Sequence, residues 1–246
     1  MQKKHELIYS PALGYELHVW CYGHWGVPLL VFPSAAGMAH EWEENGMVAS
    51  LSPLIDSGKI KLYCPENNVS QSWTNRHEHP ADRVKRHQDY ENFILTNLLP
   101  WIYADCQSEK LSLFTAGCSL GAYYAANFAL KNPDHFQYAL CMSGRYQITQ
   151  FTDGFSNSDI YFNNPIDYVA NLDGSALEHV QKNTHLTLVC GQGAYEEGCI
   201  EETQKLGEIF RQKGISHQLD IWGYDVSHDW YWWRRQAVHH LSQLQD

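Results

Sequence analysis

The chain has 246 residues, 44% of them hydrophobic and 18% charged, so one α/β domain over residues 1–246 with a sizeable core is the expected organisation. Lys and Arg total 17 against 28 Asp and Glu, and the formal net charge of −11 argues against nucleic acid and anionic membranes as partners. There is no apolar run of about 18 residues, and the opening MQKKHELIYS lacks an apolar signal core, so neither a membrane span nor a secretory leader is expected.

Taken in order, residues 6–22 predict two strands joined around Leu13 and Gly14, with a turn at residues 23–26. Val27–Phe32 predicts a buried strand that stops abruptly at Pro33-Ser34-Ala35-Ala36-Gly37, where small side chains let backbone N–H groups approach a ligand. Residues 41–51 read as one helix and residues 60–64 as the next strand. The polar stretch 65–80 reads as a surface loop on the ligand-binding edge of an α/β sheet, with Trp73 a candidate pocket wall. Helical periodicity then runs over residues 81–103 through Val84, His87, Tyr90 and Leu98.

A short apolar strand at residues 111–114 leads into Gly117-Cys118-Ser119-Leu120-Gly121, and a helix over residues 122–130 stops before Asn132-Pro133. Phe136–Met142 predicts another buried strand, followed by a small cap-like excursion around residues 145–175. A strand at 186–190 precedes Gly191-Gln192-Gly193-Ala194-Tyr195-Glu196-Glu197. The helix Cys199–Lys213 is acidic at its start and basic at its end, with Gly214 just beyond. A last strand at 217–222 and a loop carrying His228 lead into a Trp-rich helix. The alternation of strand and helix from residue 27 onward predicts a mainly parallel central sheet with helices on both faces.

Strand, glycine-flanked serine and helix together make a candidate nucleophile elbow, in which a Cβ at either glycine would collide with the neighbouring strand or helix. A serine hydroxyl needs a base within hydrogen-bond reach, and the base needs an acceptor behind it. Ser119, then Glu196 or Glu197, then His228 follow the order nucleophile, acid, histidine, each at the C-terminal end of a predicted strand. Asp225 is a lesser candidate for the acid. Cys118 is one residue off the centre of the pentapeptide and reads as a buried small side chain. His77, Glu78 and His79 lack a third ligand at suitable spacing and read as a solvated loop rather than a metal site. The four adjacent aromatics Trp230, Tyr231, Trp232 and Trp233 cannot share one helix face. Seven cysteines without a C-x-x-C pair point to free thiols in a reducing cytoplasm.

The segments TAGCSLGAYYAANFAL, GQGAYEEG and SHDWYWWRRQ resemble the putative esterase family of α/β-hydrolases, related to esterase D (S-formylglutathione hydrolase), feruloyl esterases and the antigen 85 acyltransferases. The resemblance spans nearly the whole chain and implies an α/β-hydrolase fold. It also implies a serine carboxylic ester hydrolase working through an acyl-enzyme on a small-molecule ester, with no cofactor. It gives Ser119 the place of the nucleophile, His228 that of the base and Glu196 that of the acid, three residues after Gly193. The oxyanion donors it implies are the amides of Leu120 and, in the turn after the early strand, Ala35, with Ser34 as the alternative. That turn departs from the family's usual H-G-x. An acyltransferase, a thioesterase and a non-catalytic binding module are the rival readings, and a homo-oligomer is compatible with the sequence.

Overall fold

The computed structural model describes residues 1–108 and 111–244. Its strands are β1 (Lys3–Ser10), β2 (Tyr15–Tyr22), β3 (Val27–Phe32), β4 (Ile60–Pro65), β5 (Leu113–Cys118), β6 (Phe136–Met142), β7 (His185–Cys190) and β8 (His217–Ile221). They form one sheet in the order β1-β2-β4-β3-β5-β6-β7-β8, antiparallel at β1-β2-β4 and parallel from β4 to β8. The apolar runs of β3 to β7 explain that split. These strands are buried nearly throughout, as a sheet covered on both faces requires, whereas β1 and β2 alternate between covered and solvated positions.

One core cluster packs the helices Pro80–Phe93 and Leu120–Lys131 against one face. The other packs the C-terminal helix Trp230–Leu241 and the segments near residues 42–55 against the opposite face. Cys118 lies in this second cluster, fully buried beside the end of the elbow strand, and burial pushes its thiol well above the ordinary range. The fold is thus the expected α/β-hydrolase arrangement. None of the helices among the described residues is long and apolar enough to cross a membrane.

Several elements depart from the sequence expectation for local reasons. The helix expected over 41–51 is three short pieces, Glu41–Glu44, Met47–Ser50 and Ser52–Asp56, because Gly46 takes a left-handed conformation (φ 72°) between the first two. The long helix begins at Pro80 and passes through a π-helical turn at Ile94–Leu98 before resuming as Leu99–Asp105. Pro100 has no N–H to donate to the preceding turn, and the wider turn absorbs that loss. The strand expected at 111–114 runs instead over Leu113–Cys118, where Ala116 and Gly117 pair with both β3 and β6 despite weak strand propensity. The helix Gly174–Asn183 was not expected; it is short, and it meets the core only through the buried Val180 and the partly buried Leu177.

The excursion after β6 consists of short helical turns at Ile148–Phe151, Ser158–Tyr161, Pro165–Tyr168 and Val169–Asn171. It is pinned by the fully buried Asn163, whose Oδ1 lies 3.1 Å from His87 Nε2 and accepts from Asn127 and Lys131 at 3.0 Å each. Trp73 is not a pocket wall: it is fully buried, packed against the rings of His87 and Tyr123. His77, Glu78 and His79 are all exposed, and His79 caps the long helix by accepting from the Ala81 amide at 3.2 Å.

Candidate active site

Ser119 stands between β5 and the elbow helix Leu120–Lys131 with φ 55° and ψ −121°, a conformation costly for any residue with a side chain. The strain persists because its surroundings allow no alternative. A Cβ on Gly117 would lie 2.2 Å from the Gly121 carbonyl carbon, and one on Gly121 would lie 2.3 Å from the Phe32 carbonyl oxygen. The missing side chains let the helix start sit directly against the ends of β5 and β3. The Ser119 amide donates to the Met142 carbonyl at 2.8 Å, tying the turn to β6 as well.

The loops after β7 and β8 are bound to each other by their backbones. Gly193 N–H donates to Val226 C=O at 2.8 Å, and His228 N–H donates to Ala194 C=O at 3.0 Å. A Cβ on Gly191 would lie 2.1 Å from the same Val226 oxygen, so only glycine permits this approach. Beyond His228, Asp229 caps the C-terminal helix by accepting from the Tyr231 and Trp232 amides at 2.9 and 3.3 Å.

The outcome is a continuous polar relay. His228 Nε2 lies 3.0 Å from Ser119 Oγ, and His228 Nδ1 lies 3.1 Å from Glu196 Oε2. Glu196 is 1% exposed, whereas Glu197 and Asp225 are exposed to solvent. The other Glu196 oxygen accepts from the Ser143 hydroxyl at 2.6 Å, and Ser143 Oγ itself accepts from Trp233 Nε1 at 3.0 Å. Trp233 also meets the His228 ring edge to face, with centroids 4.8 Å apart. One tryptophan therefore supports the imidazole directly and the carboxylate through Ser143.

Of the two turns expected to hold an oxyanion, one is the first residue of the elbow helix. Leu120 there has an amide with no partner inside the helix. In the other turn the Ser34 amide is already committed, donating to Glu41 Oε2 at 2.6 Å. Ala35 is exposed, and its amide donates to no other described residue.

Two groups of ligating side chains converge among the described residues: Glu196, Cys199 and His228, and separately Asp220, His239 and His240. In the first, Cys199 Sγ is 3.9 Å from His228 Nδ1, and burial pushes this thiol up to about 12. Within that group Glu196 and His228 are already bonded to each other, at 3.1 Å.

Ser143 and Glu41 have no counterpart in the sequence reading. Ser143 follows β6 directly, on the strand-end edge shared by the other site residues, and that position was the available signal. Glu41 sits in an ordinary acidic stretch that carries no such signal.

A family model described as "Putative esterase" matches residues 10–244. A search of curated proteins finds no match. Among solved structures, a ferulic acid esterase is 18% identical with a TM-score of 0.74, covering 98% of this chain and 96% of that one. MPT51 (FbpC1) of Mycobacterium tuberculosis is 17% identical with a TM-score of 0.75, over 98% and 97% of the two chains. The S-formylglutathione hydrolase FrmB of Staphylococcus aureus is 13% identical with a TM-score of 0.72, over 98% of each. At these identities the structural likeness speaks to the fold.

Proposed function

The chain belongs to the putative esterase family and is a carboxylesterase-type hydrolase, and on that premise we propose that it cleaves carboxylic esters through an acyl-enzyme on Ser119. His228 Nε2 takes the hydroxyl proton as Ser119 Oγ attacks the ester carbonyl carbon. Glu196 holds the imidazole in the productive tautomer and stabilises the imidazolium that forms. The Leu120 and Ala35 amides receive the developing oxyanion. Collapse of the tetrahedral intermediate breaks the bond to the alcohol oxygen, which takes the proton from His228. Water, deprotonated by the same imidazole, then attacks the acyl-enzyme and releases the carboxylic acid.

The relay of 3.0 and 3.1 Å from Ser119 through His228 to Glu196 is the observation that carries this reading. All seven cysteines are unpaired, which supports a reducing cytoplasm as the working compartment. The test is turnover of a p-nitrophenyl short-chain ester by wild type and by Ser119→Ala. The variant should lose activity by at least about 10³-fold. Full activity in Ser119→Ala would remove the nucleophile from the scheme. Running the assay with added alcohol separates hydrolysis from acyl transfer, since a transferase would yield the new ester in place of the acid.

A further inference from the structure

Glu41 is 4% exposed, yet no Lys, Arg or His among the described residues forms an ion pair with it. Burial raises its carboxyl above the usual carboxylate range, against the pull of the Ser34 hydrogen bonds and of the neighbouring His40. A buried carboxylate without an ion-pair partner is costly, and such groups persist where their hydrogen bonds fix something. Both oxygens of Glu41 go to one residue: Oε2 accepts from the Ser34 amide at 2.6 Å and Oε1 is bonded to the Ser34 hydroxyl. The Ser34 carbonyl in turn accepts from the Gly37 amide at 3.1 Å, and the Gly37 carbonyl accepts from Asn67 at 2.9 Å.

Every polar group of Ser34 is therefore committed, and this decides the next peptide. The Ser34 carbonyl and the Ala35 amide belong to one planar trans unit and point in opposite directions. With the carbonyl turned to Gly37, the Ala35 N–H is directed out of the turn. The same turn begins beside the elbow, because Gly121 lets the nucleophile's helix lie against the Phe32 and Pro33 carbonyls. Glu41 is also close enough to that elbow for its charge to be felt at Cys118, the residue before the nucleophile.

We propose that Glu41 is a positioning residue that, through Ser34, holds the turn at residues 33–37 so that the Ala35 amide completes the oxyanion hole. This rests on the hydrolase reading of Ser119 above. Glu41 touches no reacting atom. Its work is to make one peptide rigid before charge develops on the substrate, which is where such donors gain their effect.

The experiment measures kcat and KM on p-nitrophenyl butyrate, and inhibition by an alkyl boronic acid that forms an anionic tetrahedral adduct with the nucleophile. It compares wild type, Glu41→Ala, Glu41→Gln and Ser34→Ala, with melting temperatures recorded for each. Glu41→Ala should lower kcat about 10²-fold, weaken the boronate by a similar factor and leave KM within about twofold. Glu41→Gln keeps a carbonyl acceptor for the Ser34 amide and should recover most of the loss. Ser34→Ala keeps the backbone bond, loses the hydroxyl one, and should fall between. Should Glu41→Ala fail to fold, Ser34→Ala decides: wild-type kcat and boronate affinity in that variant would overturn the proposal. So would equal losses in kcat and in 1/KM across the set. An inactive wild type whose Ser119 resists a fluorophosphonate would instead refute the hydrolase reading itself.

Discussion

The two sides of the site are built by different physics. On the Ser119 side, everything that shapes the turn lies within five consecutive residues and the strands at either hand: Gly117 and Gly121 permit the close approach, and φ 55° follows. On the other side, Glu196 and His228 are 32 residues apart and meet only because two loops bond backbone to backbone through Gly193, Ala194 and Val226. Their side chains are then steadied by Ser143 and Trp233, from two further elements. A local motif makes the first half stiff, whereas the second is a tertiary assembly that can be loosened one contact at a time.

That contrast can be broken at several points. Gly121→Ala should have the largest effect, since its Cβ would meet two backbone oxygens, at 2.3 and 2.8 Å, that cannot turn aside. Urea unfolding should show a loss of about 3 kcal/mol, with activity falling in step. Gly193→Ala should separate the two quantities. Its Cβ would lie 2.7 Å from Val226 C=O, so the paired loops shift, and kcat should fall about 10²-fold for only about 1 kcal/mol of stability. If Gly193→Ala lost stability as heavily as the elbow variant, the second half would be as rigid as the first.

Ser143→Ala sharpens the comparison further. It removes one donor from the Glu196 carboxylate and the acceptor of Trp233 Nε1, and should cost about tenfold in kcat with about 1–2 kcal/mol of stability. The smallest effect on activity belongs to His87, whose ring packs on Trp73, Tyr123 and Tyr124 and bonds to Asn163 rather than to Ser119, His228 or Glu196. Burial depresses its imidazole from 6.5 to about 3, with Lys131 adding to the shift. Between those values the unfolded chain binds a proton that the folded chain refuses, so stability falls as pH drops from about 6.5 toward 3. His87→Gln should leave kcat at neutral pH unchanged and flatten that acid-side decline, as followed by urea unfolding at a series of pH values.

The same division governs what the sequence discloses. The parallel sheet is legible because β3 to β7 are apolar on both faces, and the elbow is legible because its glycines, serine and flanking elements are contiguous. Glu196 and His228 can be picked out as residues following strands, although their meeting depends on Gly191 and Gly193 closing onto Val226, which no local pattern encodes. Ser143, Trp233 and Glu41 act through partners 53, 90 and 7 residues away, and only the folded chain assigns them a role. Trp73 shows the reverse error. An aromatic in a polar stretch looks like a pocket wall until the long helix is seen to bring His87 over it.

The most direct measurement is fluorophosphonate labelling of the folded protein followed by peptide mass mapping. The account predicts a single adduct, on the peptide carrying Ser119, formed rapidly in wild type and at least about 10²-fold more slowly when His228 is replaced by Ala. An esterase-active protein that carries the label on another residue, or carries none, would contradict it.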